Sequence, residues 1–213
     1  MNELLNAIFV IILTLNLFAL GNGRLLSVIR IVAFQGILLG ILPLLIHSHL
    51  TFSVILSSLA AITLKGLVIP GIMKKALRDV QIKREVEPLV GLLPSTIIGA
   101  VLTAVVFLVY RRINPVDQSH LSLIIPTSIS VIFVGFILLT TRVKAISQVL
   151  GYLLLENGIY IFSLLLIEAI PLVVEMGMLL DLFVSIFIVS IITNHINRAF
   201  SSLDTRMLSA LKE

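Results

Sequence analysis

From Gly91 to Tyr110 the chain reads GLLPSTIIGAVLTAVVFLVY, an uncharged run preceded by the charged stretch 74–87 and closed by Arg111-Arg112. As an α-helix rising ~1.5 Å per residue, it matches the roughly 30 Å hydrocarbon core of a bilayer. Its apolar residues do not alternate with polar ones, so the pattern predicts a lipid-spanning helix rather than a barrel strand. Outward from this run, the same criterion places spans at 4–20, 30–47, 52–73, 122–140, 146–167 and 172–194. With 91–110 that makes about seven transmembrane helices. Breakers separate them: Gly21-Asn22-Gly23-Arg24, His47-Ser48-His49, the stretch 74–87, Arg111-Arg112-Ile113-Asn114-Pro115, Thr141-Arg142 and Glu168-Ala169-Ile170-Pro171. Pro171 suits the first turn of the last span, and Pro43, Pro70, Pro94 and Pro126 are potential kinks.

Composition agrees. The 213 residues are 59% hydrophobic and only 12% charged, with a mean hydropathy of +1.18, whereas soluble domains carry about 25% charge. Backbone groups in hydrocarbon must be paired internally, and long unbroken runs choose helices for that purpose. The predicted fold class is therefore all-α, a polytopic integral membrane protein. There is no cysteine, which excludes disulfides, iron–sulfur clusters and thiolate zinc sites within the chain. His47 and His49 share a short loop without a nearby carboxylate and read as a hydrated interfacial pair. No phosphate loop, nucleophile–His–acid arrangement or metal-ligand spacing occurs. No catalytic centre, metal or cofactor is expected in this chain. The start, Met1-Asn2-Glu3, lacks a basic n-region, so the first apolar run is expected to stay as a membrane helix.

Basic residues test the topology. Of the fifteen Lys and Arg residues, Lys65 falls inside a span and only Arg111 and Arg112 fall on one side. All the others, including Arg24, Arg30, Lys74, Arg142 and Arg206, fall on the opposite side. The positive-inside bias then puts the N-terminus outside and the C-terminus in the cytoplasm. Topology accounts for the net charge of +4, so nothing argues for nucleic acid. The longest loop, 74–90, reads either as a solvated cytoplasmic turn or as a docking surface for a peripheral partner.

Four ionisable residues lie within predicted spans: Lys65, Glu156, Glu175 and Asp181. Each costs at least ~2.5–3.5 kcal/mol to insert, so such residues mark ion pathways or buried pairs. Lys65, Glu156 and Asp181 fall near the bilayer midplane, and Glu175 nearer the outer face. On the sixth helix Gln148, Tyr152, Glu156, Tyr160 and Ser163 recur every three or four residues as one polar stripe, with Asn157 one position off it. Burial favours the neutral form of an acid or amine, and an adjacent opposite charge favours the ionised form. A Lys–Glu contact that is made and broken would thus switch proton affinity. The plainer reading is a static pair that fixes helix packing. Asn16 and Gln35 read as interhelical hydrogen-bonding residues.

The C-terminal third carries a family resemblance. Gly151-Tyr152-Leu153-Leu154-Leu155-Glu156-Asn157-Gly158, Pro171-Leu172-Val173-Val174-Glu175-Met176-Gly177, Asp181 and the tail 203–212 resemble the E-type membrane component family of hydrogenase-4, from formate hydrogenlyase-type complexes. Ile62-Thr63-Leu64-Lys65-Gly66-Leu67-Val68-Ile69-Pro70 is similar to that family's lysine-plus-proline segment. The last three helices also resemble the K-type subunit of complex I and the C-type subunit of Mrp antiporters. In those proteins two glutamates on adjacent helices join a chain of charges along the membrane arm. Motif position puts Glu156 first and Glu175 second.

The resemblance implies one membrane domain, 1–213, with four helices over 1–115, a K-type-like unit over 122–195 and a cytoplasmic tail over 196–213. It implies a multi-pass subunit of the plasma or inner membrane, in a complex I-like, group 4 energy-converting nickel–iron hydrogenase. The implied partners are antiporter-like and H-type anchor membrane subunits, a peripheral hydrogenase arm and the lipid bilayer. On this reading Lys65, Glu156, Glu175 and Asp181 would relay protons or sodium ions. A rival reading makes the chain a structural bridge between antiporter-like and anchor subunits, with no part in conduction.

Overall fold

The computed structural model describes residues 2–46, 52–79, 89–114, 123–165 and 183. Every element among them is helical: α1 (Asn2–Gly21), α2 (Leu25–Ile46), α3 (Phe52–Ala61), a π-helical segment (Ile62–Val68), α4 (Ile69–Asp79), α5 (Leu92–Ile113), α6 (Ile124–Thr141) and α7 (Ala145–Ser163). Among the described residues, five helices are long and apolar enough to cross a membrane: Glu3–Gly21, Leu25–Ile46, Val54–Lys75, Leu92–Ile113 and Ile124–Thr141. α7, which carries the polar stripe, runs antiparallel to α6 across the short link Arg142–Lys144. Apart from Phe183, the expected span 172–194 lies outside the described residues, as do the histidines and the loop residues 80–88.

Two expected boundaries move. α2 begins at Leu25 rather than at 30, so Arg30 lies more than a turn inside the helix, exposed on its side. The stretch 74–79, expected as loop, is instead the end of α4. Leu89 then donates its N–H to Thr141 O at 2.8 Å, tying the start of the α5 approach to the end of α6. Pro94 and Pro126 sit in the first turns of α5 and α6, where a missing donor costs nothing.

Pro70 has a larger effect. A proline ring crowds the carbonyl four residues earlier and offers it no N–H. The turn before Pro70 is widened to a π-helix, and Ile69 N–H bonds Leu64 O, five residues back. Such local widening re-satisfies backbone groups freed by proline in a lipid-embedded helix. Elsewhere Thr14, Thr96, Thr103, Ser130 and Thr140 donate their hydroxyls to the carbonyl four residues earlier, so these polar groups are satisfied within their own helices.

Packing produces two apolar clusters. One gathers Ala19, Leu20, Leu25, Ile29, Val32, Ile69, Met73, Leu138, Leu150 and Leu154. The other gathers Phe9, Ile12, Leu39, Leu42, Ala61, Ile124, Val131, Tyr160 and Ile161. On each of α1, α2, α7 and the α3–α4 run, the two clusters occupy successive positions along the helix with polar residues between them. Outward faces carry large apolar side chains, Phe18, Phe34, Leu59, Leu67, Leu93 and Leu108 among them, as lipid-facing helices require.

Candidate functional site

The polar waist between the two clusters is built from one or two residues per helix. Asn16 on α1 lies between Ile12 and Ala19, Gln35 on α2 between Val32 and Leu39, and Lys65 between Ala61 and Ile69. Glu156 and Asn157 on α7 lie between Leu154 and Tyr160. Asn16, Gln35, Glu156 and Asn157 are buried, none more than 3% exposed.

Lys65 Nζ stands 2.8 Å from Glu156 Oε1, with the two side chains 12% and 3% exposed. The same ammonium lies 4.9 Å from the centroid of the Tyr160 ring, one helical turn beyond Glu156. The ring face adds a second favourable surface for the cation. On the other side of Glu156, Asn157 Nδ2 donates to Gln35 Oε1 at 3.4 Å. Gln35 Nε2 in turn donates to Asn16 Oδ1 at 2.9 Å and to Ile12 O at 3.2 Å. Adjacent positions on α7 therefore join an ion pair to a chain of amides that crosses α2 and ends on α1.

Close backbone approach makes this possible. A Cβ on Gly36, the neighbour of Gln35, would come within 2.6 Å of the Lys65 carbonyl carbon and oxygen, and one on Gly66 within 2.7 Å of Ile37. Glycines thus let α2 press onto the π-segment beside the ion pair. Gly158, next to Asn157, is held against α6 in the same way: a Cβ there would lie 2.7 Å from Ile132 N.

The structure brings together Lys65, Glu156, Asn157 and Tyr160 from the sequence-predicted set. Tyr152 lies half-buried one turn before Glu156. The stripe is not one continuous track at its ends: Gln148 Nε2 donates to Arg142 O at 3.0 Å and Ser163 Oγ to Tyr160 O at 2.8 Å. The off-stripe Asn157, instead, makes the connection to α2. Glu175 and Asp181 lie outside the described residues.

One buried polar group departs from the sequence expectation. Arg142, which the sequence groups with the solvated basic residues, is 1% exposed. Its Nη2 donates to Leu20 O at 2.8 Å, near the C-terminal end of α1, where a helix favours a cation. Burial pushes this guanidinium below its ordinary value. Nothing local in the sequence signals this, because the acceptor is a backbone carbonyl on another helix.

Among known proteins, the chain is 30% identical to the uncharacterized protein Rv0085 of Mycobacterium tuberculosis over 190 residues, covering 88% of this chain and 86% of that protein. It is 24% identical to hydrogenase-4 component E of Escherichia coli K12 over 155 residues, covering 73% of this chain and 72% of that one. The component of the same name in Shigella flexneri matches equally. No protein-family model matches the chain, and no solved structure does.

Proposed function

Because the chain belongs to the family that includes Rv0085 and is a distant homologue of hydrogenase-4 component E, we propose that it is a membrane subunit of an energy-converting hydrogenase complex whose buried Lys65–Glu156 pair relays protons or sodium ions. The observation that carries this reading is the pair itself, held at 2.8 Å in a polar layer between two apolar clusters. The clusters close the layer above and below, so a route through it runs sideways in the membrane plane, from helix to helix. A lateral route suits a subunit set between others. It is consistent with the resemblance to K-type and Mrp C-type subunits that the sequence suggests, by which Glu175 would be the next station, and Asp181 would be a further one.

The internal step needs only this chain's residues. A proton moving from the Lys65 ammonium to the Glu156 carboxylate leaves both groups neutral, a form that hydrocarbon tolerates. Reprotonation of Lys65 from one neighbour and loss of the proton from Glu156 to another would complete one transfer. Asn157, Gln35 and Asn16 can both donate and accept hydrogen bonds and so orient the acid. With no cysteine in the chain and no group of three His, Asp or Glu among the described residues, these residues do not fit nickel or iron–sulfur centres. Those centres belong to other chains of such a complex, along with the antiporter-like, anchor and peripheral partners the resemblance implies.

The second reading, a fixed pair locking helices together, rests on the same contact. Paired substitutions separate the two. Removing one member of a buried ion pair costs about 3–5 kcal/mol by stranding the other, while replacing both by neutral residues is close to neutral. Lys65→Met together with Glu156→Gln should therefore restore the assembly lost in either single variant. If the pair conducts, vesicles holding the assembled double variant show no coupled ion uptake during hydrogenase turnover. Full uptake in that variant would leave only the scaffold role.

A further inference from the structure

At the opposite end of the α3–α4 run from Phe52, a second polar feature stands apart from the buried pair. Leu26 and Arg30 lie one turn apart on α2, and Lys74 and Arg78 one turn apart on α4 with Leu77 beside them. The two helices pack against each other, and these five residues line an open groove of about 360 Å³. Arg30, Lys74 and Arg78 are exposed, and no ion pair to any of them is present among the described side chains.

Three features fix the occupant. The first is depth. Lys74 lies at the end of the apolar span Val54–Lys75, and Arg30 lies five residues into the apolar span Leu25–Ile46, about 7.5 Å along its axis. The cations therefore stand at the hydrocarbon edge, where phosphates and glycerol lie, and their long side chains reach towards the interface. The second is charge. Three like charges converge on one groove, and no carboxylate pairs with them among the described side chains. The third is the mixed lining. Leu26 and Leu77 stand beside the cations, and below Arg30 and Lys74 both helices continue as apolar spans, which suits a phosphodiester that continues into an acyl chain, whereas an acidic peptide or a free phosphate would need only charge. The volume suits a headgroup rather than a single ion.

We propose that this groove binds the headgroup of an anionic phospholipid, with Arg30, Lys74 and Arg78 on the phosphate, Leu26 and Leu77 flanking the headgroup at the groove's aqueous end, and the acyl chains running past Arg30 and Lys74 into the apolar spans. Basic pockets between membrane helices hold anionic headgroups by this combination. The proposal is independent of ion conduction by the buried pair.

The test uses the full-length chain with the subunits it extracts with, transferred to nanodiscs. Binding of fluorescent phosphatidylglycerol is compared with that of phosphatidylcholine. The intact protein should prefer phosphatidylglycerol. The triple variant Arg30→Gln, Lys74→Gln, Arg78→Gln should weaken that binding roughly a hundred-fold, while Arg111→Gln with Arg112→Gln should leave it unchanged. A photoreactive phosphatidylglycerol should label α2 and α4 of the unaltered protein, a measurement that stands even if the triple variant fails to fold. Equal binding of both lipids, no labelling of these helices, or displacement by inorganic phosphate at matching concentration would each overturn the proposal. So would loss of a co-purifying protein from the triple variant with lipid preference intact.

Discussion

Gln35 shows what a buried amide does in this fold. It donates to Asn16 and to the Ile12 carbonyl and accepts from Asn157, with no exposed surface. Gln35→Leu keeps the volume but leaves Asn16 and Asn157 without that partner, which should cost about 1–3 kcal/mol. Unfolding by SDS in mixed micelles checks it. In a cycle with Asn157→Leu the coupling should fall near ~0.6 kcal/mol, with ~1.7 kcal/mol as a ceiling; strict additivity would mean the 3.4 Å contact carries no energy. At this scale the sequence is legible only in part. Hydrophobicity marks Asn16, Gln35, Lys65 and Glu156 as misplaced in lipid, but pattern along one helix cannot say which of them meet. Periodicity even draws the stripe through Gln148 and Ser163, both turned to nearby carbonyls, and past Asn157, which reaches the next helix. Arg142 groups with solvated residues by sequence for the same reason: its acceptor lies on α1.

Elements pack here through missing side chains. Between α6 and α7 a Cβ on Gly135 would collide with Leu155 N, and one on Gly151 would lie 2.5 Å from Leu139 N. Both neighbours are helical backbone, which cannot step aside. Small residues let membrane helices approach this closely, and van der Waals contact is much of what holds them. Gly135→Ala should therefore destabilise the hairpin by about 1–3 kcal/mol, the usual cost of overpacking. Gly71 on α4 is the control, since a Cβ there meets nothing within 4 Å. Gly71→Ala should be neutral or stabilising by up to about 0.5–1 kcal/mol through helix propensity. Thermal unfolding in detergent ranks the pair, and equal losses would rule out the close approach as the cause. Helix existence is legible in the sequence, because apolar runs of spanning length leave few alternatives. The π-segment is not: Pro70 announces a disturbance, but only the packed helix shows that it takes the form of a wide turn holding Lys65.

For the molecule as a whole, the question is how the bundle sits in the membrane. Among the described helices α5 is the least enclosed, burying only Ser95 and Gly99 while turning Leu93, Ile97, Val101, Leu108 and others outward. Among the described residues, little therefore covers it along most of its length. The basic residues around it set a direction. Lys74, Lys75 and Arg78 end α4 before α5 begins, and Arg111 and Arg112 end α5 itself. One crossing by α5 must separate the two groups, and the positive-inside bias assigns the larger to the cytoplasm. Since the chain has no cysteine, single replacements report this cleanly. Lys75→Cys and Asn114→Cys occupy exposed positions at the two ends. In intact cells a membrane-impermeant maleimide should label Asn114→Cys at once and Lys75→Cys only after permeabilisation. The reverse order would invert the protein, placing the groove of Arg30, Lys74 and Arg78 in the outer leaflet. Labelling of both from outside would mean that α5 does not cross, and the positive-inside assignment of the whole chain would fail with it.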